Sequence, residues 1–242
     1  MLMEQYDQAI RQILDRVKDT QWEAIRQAAQ KIAGTVQNGG NVHVYDTGHI
    51  IDSELINRAG GLALLRRLRY TFDVDNSARP IDRKGVSASP EGLAGYVLRS
   101  SQAAAGDVLI IGSVSGKTVS VVDMALEAKK MGLTVIAVTS VAYSSSVQSE
   151  HSSGLRLFEA ADLTIDNCSC FGDAMLEVEG TNSRFGPSSG ISAAYIMWCL
   201  SACVTEDLMA AGIEPTIFQS VNRPDGWKEY NAMVERYQKQ GY

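Results

Sequence analysis

The sequence predicts an α/β protein: a doubly wound parallel sheet flanked by helices, preceded by an N-terminal helical arm. Three observations carry that expectation. First, the apolar run Val108-Leu109-Ile110-Ile111 leads through a short turn and a helical stretch over 118–131 to a second apolar run over 134–138. That is the layout of a β-α-β crossover, which joins parallel strands with a right-handed turn. Second, these runs are continuous and do not alternate, as expected of strands covered on both faces. Third, the chain has 242 residues, 45% of them hydrophobic and 21% charged, long enough to bury a sizeable core and unlike a disordered chain.

The elements follow in order. Ile10, Ile13, Leu14, Val17, Trp22, Ile25, Ala29, Ile32 and Val36 recur at helical spacing, so residues 6–36 form an amphipathic helix or helical pair. Asn38-Gly39-Gly40 stops it, and a strand over 42–45 runs into Asp46-Thr47-Gly48-His49. A helix is expected over 53–58 and a strand near 64–72. The polar stretch that follows, rich in Ser, Asn and Pro, reads as a long excursion with partial helix. After the β-α-β unit, in which Gly132 caps the helix, come a strand over 162–165, an apolar helix from Ser188 and a last helix over 226–238. With no repeat or long linker, residues 1–242 read as one domain: arm 1–37, α/β core 38–212, C-terminal segment and helix 213–242.

Charge and composition exclude several functions. With 22 basic and 28 acidic residues the net charge is -6, which disfavours a nucleic-acid or anionic-lipid partner. The N-terminus carries Glu4 and Asp7 and no basic lead into an apolar stretch, so a cytoplasmic protein is expected. The longest apolar run, over 191–204, is shorter than a membrane span and reads as a buried core helix. Cys199 and Cys203 fall inside it as core residues. Cys168 and Cys170 form a Cys-x-Cys pair with no second pair at metal-ligand spacing, so no metal is expected.

In an open parallel sheet, ligands bind beyond the carboxyl ends of the strands where the winding reverses. That rule collects Asp46-Thr47-Gly48-His49 after the first strand, Ser113-Val114-Ser115-Gly116-Lys117-Thr118 after the central one, Thr139-Ser140 after the next and Asn167 after the last. The central loop carries three hydroxyls and a glycine where a strand turns into a helix N-terminus, a site suited to a phosphate monoester. Ser113 and Ser115 would donate from the loop and Thr118 from the first turn, while Gly116 lets the backbone approach the anion. The alternative is a Ser/Thr-rich helix cap without a ligand. The loop is not a Walker A motif, because it has three residues between its glycines where that motif has four.

These segments resemble the SIS (sugar isomerase) domain. The resemblance rests on the stretch from Asp107 to Thr118 and on Ala128-Lys129-Lys130-Met131-Gly132-Leu133-Thr134 with the strand after it. It extends through Asp46-Thr47-Gly48-His49, Asn57-Arg58-Ala59-Gly60-Gly61-Leu62, His151-Ser152-Ser153-Gly154, Asp166-Asn167-Cys168, Gly172-Asp173-Ala174 and Gly212-Ile213-Glu214-Pro215 to a bacterial phosphoheptose-isomerase-like subgroup. It implies a SIS-domain sheet of the flavodoxin-like, Rossmann-like kind, assembly into homodimers or homotetramers, and a sugar phosphate as small-molecule ligand. No cofactor is implied. Ser113, Ser115 and Thr118 would hold the phosphate, with Gly116 and Lys117 between them, and Thr47 and Gly48 would line the first loop. Two positions depart from the family's pattern: Asp46 stands where a small residue is usual, and Ile50 where the subgroup often has Ser. A carboxylate beside a phosphate is unfavourable unless it turns away or pairs with a base such as Lys117.

The activity implied is aldose–ketose isomerisation through ring opening and an enediol, which needs a base between adjacent carbons and a second proton shuttle. A lyase or etherase acting on a phosphosugar and a non-catalytic phosphosugar sensor are the alternatives. The carboxylate base of well-studied isomerases of the family matches no position here by motif, so the catalytic candidates are chosen by position. They are His49 in the first loop, Glu54 at the start of the following helix, His151 in a Ser-rich loop, and Glu177 and Glu179, which share a face if 175–179 is a strand.

Overall fold

The computed structural model describes residues 1–47, 51–73 and 90–242. Helix α1 (Leu2–Gln37) is one continuous helix and not a pair; its 36 residues span about 54 Å at 1.5 Å per residue. No proline or glycine interrupts it before Gly34. Strand β1 (Val42–Asp46) follows, then a single helical turn, α2 (Asp52–Leu55), shorter than the expected 53–58 because Ile56 turns extended and Asn57 takes a left-handed φ of 57°. Strand β2 (Leu65–Arg67) is likewise much shorter than 64–72: it is an edge strand with only Val42, His43 and Val44 of β1 to pair with. The helix expected within the polar excursion is α3 (Leu93–Arg99).

Strand β3 (Val108–Gly112), helix α4 (Val119–Lys130) and strand β4 (Thr134–Thr139) reproduce the predicted crossover, with Gly132 in the left-handed conformation after the helix. Two short helices, α5 (Val141–Ser145) and α6 (Leu157–Ala160), and strand β5 (Leu163–Asp166) come next. An antiparallel hairpin of β6 (Ala174–Glu177) and β7 (Arg184–Pro187) precedes α7 (Ser189–Ala210) and α8 (Gly226–Gln240). The expected strand over 175–179 therefore ends at Glu177. Val178 already belongs to a turn closed by the Val178 amide on the Ser183 carbonyl, and Glu179 lies in that turn, so the two glutamates share no strand face.

The main sheet has the order β2-β1-β3-β4-β5, with every pair parallel. Because successive strand residues point to opposite faces, one set packs with α1 and α7 and the other with α3, α4 and α6. The first set is Val42, Val44, Val108, Ile110, Ile136, Val138 and Ile165; the second is Tyr45, Leu109, Ile111, Val135 and Ala137. Helices on both faces make the sheet doubly wound. The order reverses between β1 and β3, so the crevice that binds ligands in such folds lies between Asp46 and Gly112, which face each other in register.

At the opposite end of the sheet a buried pair ties the strands together. His43 Nε2 lies 3.0 Å from Asp107 Oδ2, and the same carboxylate accepts the amides of Asn41 and Ala104 at 2.8 and 2.9 Å.

Candidate functional site

The central loop, residues 113–118, leaves the carboxyl end of β3 and enters α4. Three of its carbonyl groups are taken by neighbouring segments and a fourth by its own helix. Val114 O accepts from the Ser140 amide and the Thr139 hydroxyl, Gly116 O from the Leu157 amide at 2.8 Å, and Lys117 O from the Glu150 amide at 2.9 Å. Thr118 O accepts from the amides of Val121 and Val122. The donors are left over. Among the described residues, none of the backbone amides of residues 115–120 has an acceptor, and the hydroxyls of Ser113, Ser115 and Thr118 make no hydrogen bond.

A run of free amides at the first turn of a helix presents the positive end of its dipole and forms a concavity suited to an anion. The backbone is bent there by Gly116, with φ of 57°. A Cβ on this residue would stand 2.9 Å from the Leu157 Cβ and 3.2 Å from both the Ser144 and Thr139 hydroxyl oxygens, so the position admits glycine alone without rearrangement.

Asp46 does not oppose an anion in the way its position suggests. Its Oδ2 accepts the amides of Ile51 at 2.6 Å and Asp52 at 3.1 Å, capping α2. Lys117 does not pair with it either: its Nζ lies 2.7 Å from Glu150 Oε1, an exposed pair that raises the ammonium pKa chiefly through that hydrogen bond.

Beside the loop lies a cavity of about 480 Å³ lined by Tyr45, Asp46, Thr47, Asp52, Arg67, Arg69 and Ser120, among others. Ser120 belongs to the first turn of α4, so the cavity opens onto the loop's helix end. Asp52 is mostly buried and pairs with Arg67 at 2.8 Å. Burial raises its pKa, Arg67 opposes that, and Asp46 adds to the rise. Burial also pushes the Tyr45 phenol well up, so it serves as a neutral hydrogen-bonding group.

The other expected site residues fall in different places. Gly48 and His49 lie outside the described residues, as does Ile50. Thr47 is exposed and lines the cavity. Ser140 is fully buried; its hydroxyl caps α5 by accepting the Tyr143 amide and donates to the Ser169 carbonyl at 2.6 Å. Asn167 is fully buried at the end of β5; its Oδ1 accepts the Ser169 amide, and its Nδ2 has no partner among the described residues. Glu54 forms a surface pair with Arg58 at 3.0 Å. Glu177 is paired with Arg184 and 87% exposed, on a hairpin that packs against the N-terminal part of α1 through Tyr6 and Phe185. Glu179 is exposed in the turn of that hairpin.

The His151 side chain is buried. Its Nδ1 accepts the Ser153 amide at 3.0 Å, which leaves the proton on Nε2, 3.8 Å from Asp123 and 3.9 Å from Glu91. Asp123 in turn accepts the amides of Gly92 and Ala94, capping α3. His151 thus stands behind α4 in a cluster that holds the start of α3.

The structure therefore brings together the central loop and Thr47 with Tyr45, Asp52, Arg67, Arg69 and Ser120, which sequence reasoning missed. The one available signal was Arg66-Arg67-x-Arg69, a basic cluster in an acidic chain at the end of an expected strand.

The comparisons agree with this architecture. A family model described as the SIS domain matches residues 5–140. The chain is 38% identical over 224 residues to a UPF0309 protein of Streptomyces griseus, covering 92% of this chain and 89% of that one. It is 36% identical over 241 residues to a UPF0309 protein of Shouchella clausii, covering 98% and 97%. A phosphoheptose isomerase from Neisseria gonorrhoeae superposes with a TM-score of 0.50 and 14% identity, over 85% of this chain and all of that one, a likeness of fold. The chain belongs to the SIS domain family.

Proposed function

We propose that this protein binds a sugar phosphate across the β1/β3 crevice and isomerises it between aldose and ketose. The observation that carries the reading is the run of amides over 115–120 that have no acceptor among the described residues, flanked by the hydroxyls of Ser113, Ser115 and Thr118, which make no hydrogen bond among them. The phosphate sits on those amides, and the sugar chain extends into the cavity. There Tyr45, Arg67 and Arg69 hold its oxygens, and Asp52 is the base.

In the open-chain aldose the Asp52 carboxylate takes the C2 proton. The electron pair forms the C1–C2 double bond of an enediolate, whose charge on the former carbonyl oxygen is stabilised by the neighbouring guanidinium groups. The O2 hydroxyl proton passes to O1, and the Asp52 carboxyl, whose proton exchanges with solvent, protonates C1, which gives the ketose. That a phosphoheptose isomerase shares the fold is consistent with this reading.

Two experiments test it. Proton NMR in deuterated water with a panel of aldose and ketose phosphates is expected to show deuterium entering at C1 or C2 together with the partner sugar. Binding without any exchange would favour a non-catalytic sensor. That second reading has its own support in the placement of Glu54, His151 and Glu177, all engaged in pairs or caps away from the cavity. For the loop itself, Ser115→Ala with Thr118→Val is expected to weaken sugar-phosphate binding at least about tenfold, the loss of one to two hydrogen bonds to a charged group, with an unchanged far-UV spectrum. Unchanged affinity removes these hydroxyls from the site.

The raised pKa of Asp52 has a consequence for rate. A base must be ionised, so kcat/KM is expected to fall on the acid side at a pH above the ordinary carboxylate value of about 4. Asp52→Asn should abolish exchange while leaving phosphosugar binding in place. A pH profile without that acid limb, or an active Asp52→Asn variant, removes Asp52 from the chemistry.

A further inference from the structure

The stretch that follows β2, residues 68–72, walls two cavities. One is the cavity of about 480 Å³ that holds Asp52 and Arg67. The other, of about 430 Å³, is completed by α3 through Leu93, Tyr96, Val97 and Ser100. Leu68, Arg69, Tyr70, Thr71, Phe72 and Leu93 line both, so the second continues the first. Each alone is within the range of roughly 300–1,000 Å³ of small-ligand sites.

Their chemistry differs. The first cavity carries the carboxylates of Asp46 and Asp52; the second has none among the described residues, and Arg69 is its one charged group among them. It is aromatic instead. Phe72 and Tyr96 are 54% and 67% exposed, and Tyr96 stands on the outer side of α3, whose Ala94, Gly95 and Leu98 face inward. Neither ring packs on another ring among the described residues, whereas Tyr70, between the two cavities, is stacked on Tyr45 with centroids 6.1 Å apart and planes within 10°. Arg69, also common to both, acts electrostatically on Asp52. Large rings left in water on the wall of a cavity add nothing to the core, and an apolar patch of this kind marks a binding surface.

We propose that the second cavity is a subsite for a further sugar ring, so that the substrate is a glycosylated sugar phosphate, with a second pyranose joined through one hydroxyl of the phosphosugar. The inference rests on the phosphosugar reading above and adds its substrate class. A pyranose has a face of C–H groups, slightly positive, and an aromatic ring presents a negative face to them. Its rim of hydroxyls needs donors and acceptors, which Arg69 and Ser100 supply at the edge of the patch. With the phosphate on the amides of 115–120 and the reacting carbons at Asp52, the second ring lies on Phe72 and Tyr96. A nucleobase also has flat faces, but no Asn, Gln, Asp or Glu side chain lines this cavity among the described residues to read its edge.

The test is calorimetric titration of the full chain with a panel of hexose 6-phosphates, each bare and carrying glucose at O3 or O4, and with UDP-glucose. At least one glycosylated member is expected to bind about tenfold or more tightly than its bare parent. Tyr96→Ala should erase that advantage and leave the affinity for the bare parent unchanged, while Tyr96→Phe, which keeps the ring, should retain it. Tyr96 is exposed, so the core is untouched, and near-UV and far-UV spectra check the fold. Bare parents that bind as tightly as every glycosylated member overturn the proposal, as does an advantage that survives Tyr96→Ala. UDP-glucose binding that Tyr96→Ala abolishes, with no glycosylated member preferred, overturns it too and gives the cavity to a nucleobase. If no phosphorylated member binds at all, the failure is that of the phosphate loop, and the subsite falls with it.

Discussion

Asp107→Ala is expected to lower the unfolding free energy by about 2–6 kcal/mol, the cost of taking one shared acceptor away from three hydrogen-bond donors. The carboxylate is 3% exposed and accepts from His43 and from the amides of Asn41 and Ala104. Alanine leaves the buried His43, and the amides of the exposed residues Asn41 and Ala104, without the acceptor they share. Because these donors come from the start of β1 and the turn before β3, and Asp107 itself leads into β3, the loss falls on the amino end of the two central strands. Against a total stability of roughly 5–15 kcal/mol, the variant should be marginal. Urea denaturation with a conserved slope measures the change. Asp107→Asn, which keeps one acceptor oxygen, should lose less than the alanine variant. The phosphosugar site lies at the other end of the sheet, so whatever remains folded should bind normally; a loss below about 1 kcal/mol would show that the pair is not structural.

Gly116→Ala should disable the phosphate loop and destabilise the protein together. A non-glycine residue held at a left-handed φ costs about 1–3 kcal/mol. The new Cβ, 2.9 Å from the Leu157 Cβ, adds overpacking of a similar size. Relief can come only by moving the loop or α6, and either movement breaks the Leu157 amide to Gly116 carbonyl bond that holds the loop's shape. The expected outcome is a melting temperature lowered by roughly 4–24 °C, from about 2–6 kcal/mol at 2–4 °C per kcal/mol for a chain of this size, together with sugar-phosphate affinity lost beyond detection. A variant that binds as tightly as the natural protein would mean that the loop's curvature does not set the site.

Much of this arrangement is legible in the sequence because the physics is local. The runs 108–111 and 134–138 are apolar without alternation, and the intervening helix ends on Met131-Gly132, so strand, crossover and parallel pairing follow from adjacent residues. The phosphate loop is legible for the same reason: three hydroxyls and a glycine lie between a strand and a helix that each announce themselves.

What is illegible depends on partners distant in sequence. Asp46 looks like an obstacle to an anion until the amides of Ile51 and Asp52 are seen to occupy it. Arg67 and Arg69 reach the cavity only because β2 pairs beside β1, a fact of sheet order that a three-residue strand does not advertise. The helical turns α5 and α6 are too short for periodicity and rest on caps, Ser140 for one and the Arg156–Glu159 pair for the other. His151 reads as a loop histidine but is drawn under by Asp123, a residue 28 positions earlier on α4. The hairpin of β6 and β7 is held by α1, at the other end of the chain, while the turn residues Gly180-Thr181-Asn182-Ser183 after Glu179 place it outside the strand.

The most direct test of the central claim is a titration of the ¹⁵N-labelled protein with a sugar phosphate and, separately, with the same sugar unphosphorylated, followed through backbone amide shifts. The account predicts that the largest changes fall on the amides of residues 115–120, move downfield as hydrogen bonds to the anion form, and are absent with the unphosphorylated sugar. Changes confined to Arg67, Arg69 and their neighbours, with the amides of 115–120 unmoved, would contradict it.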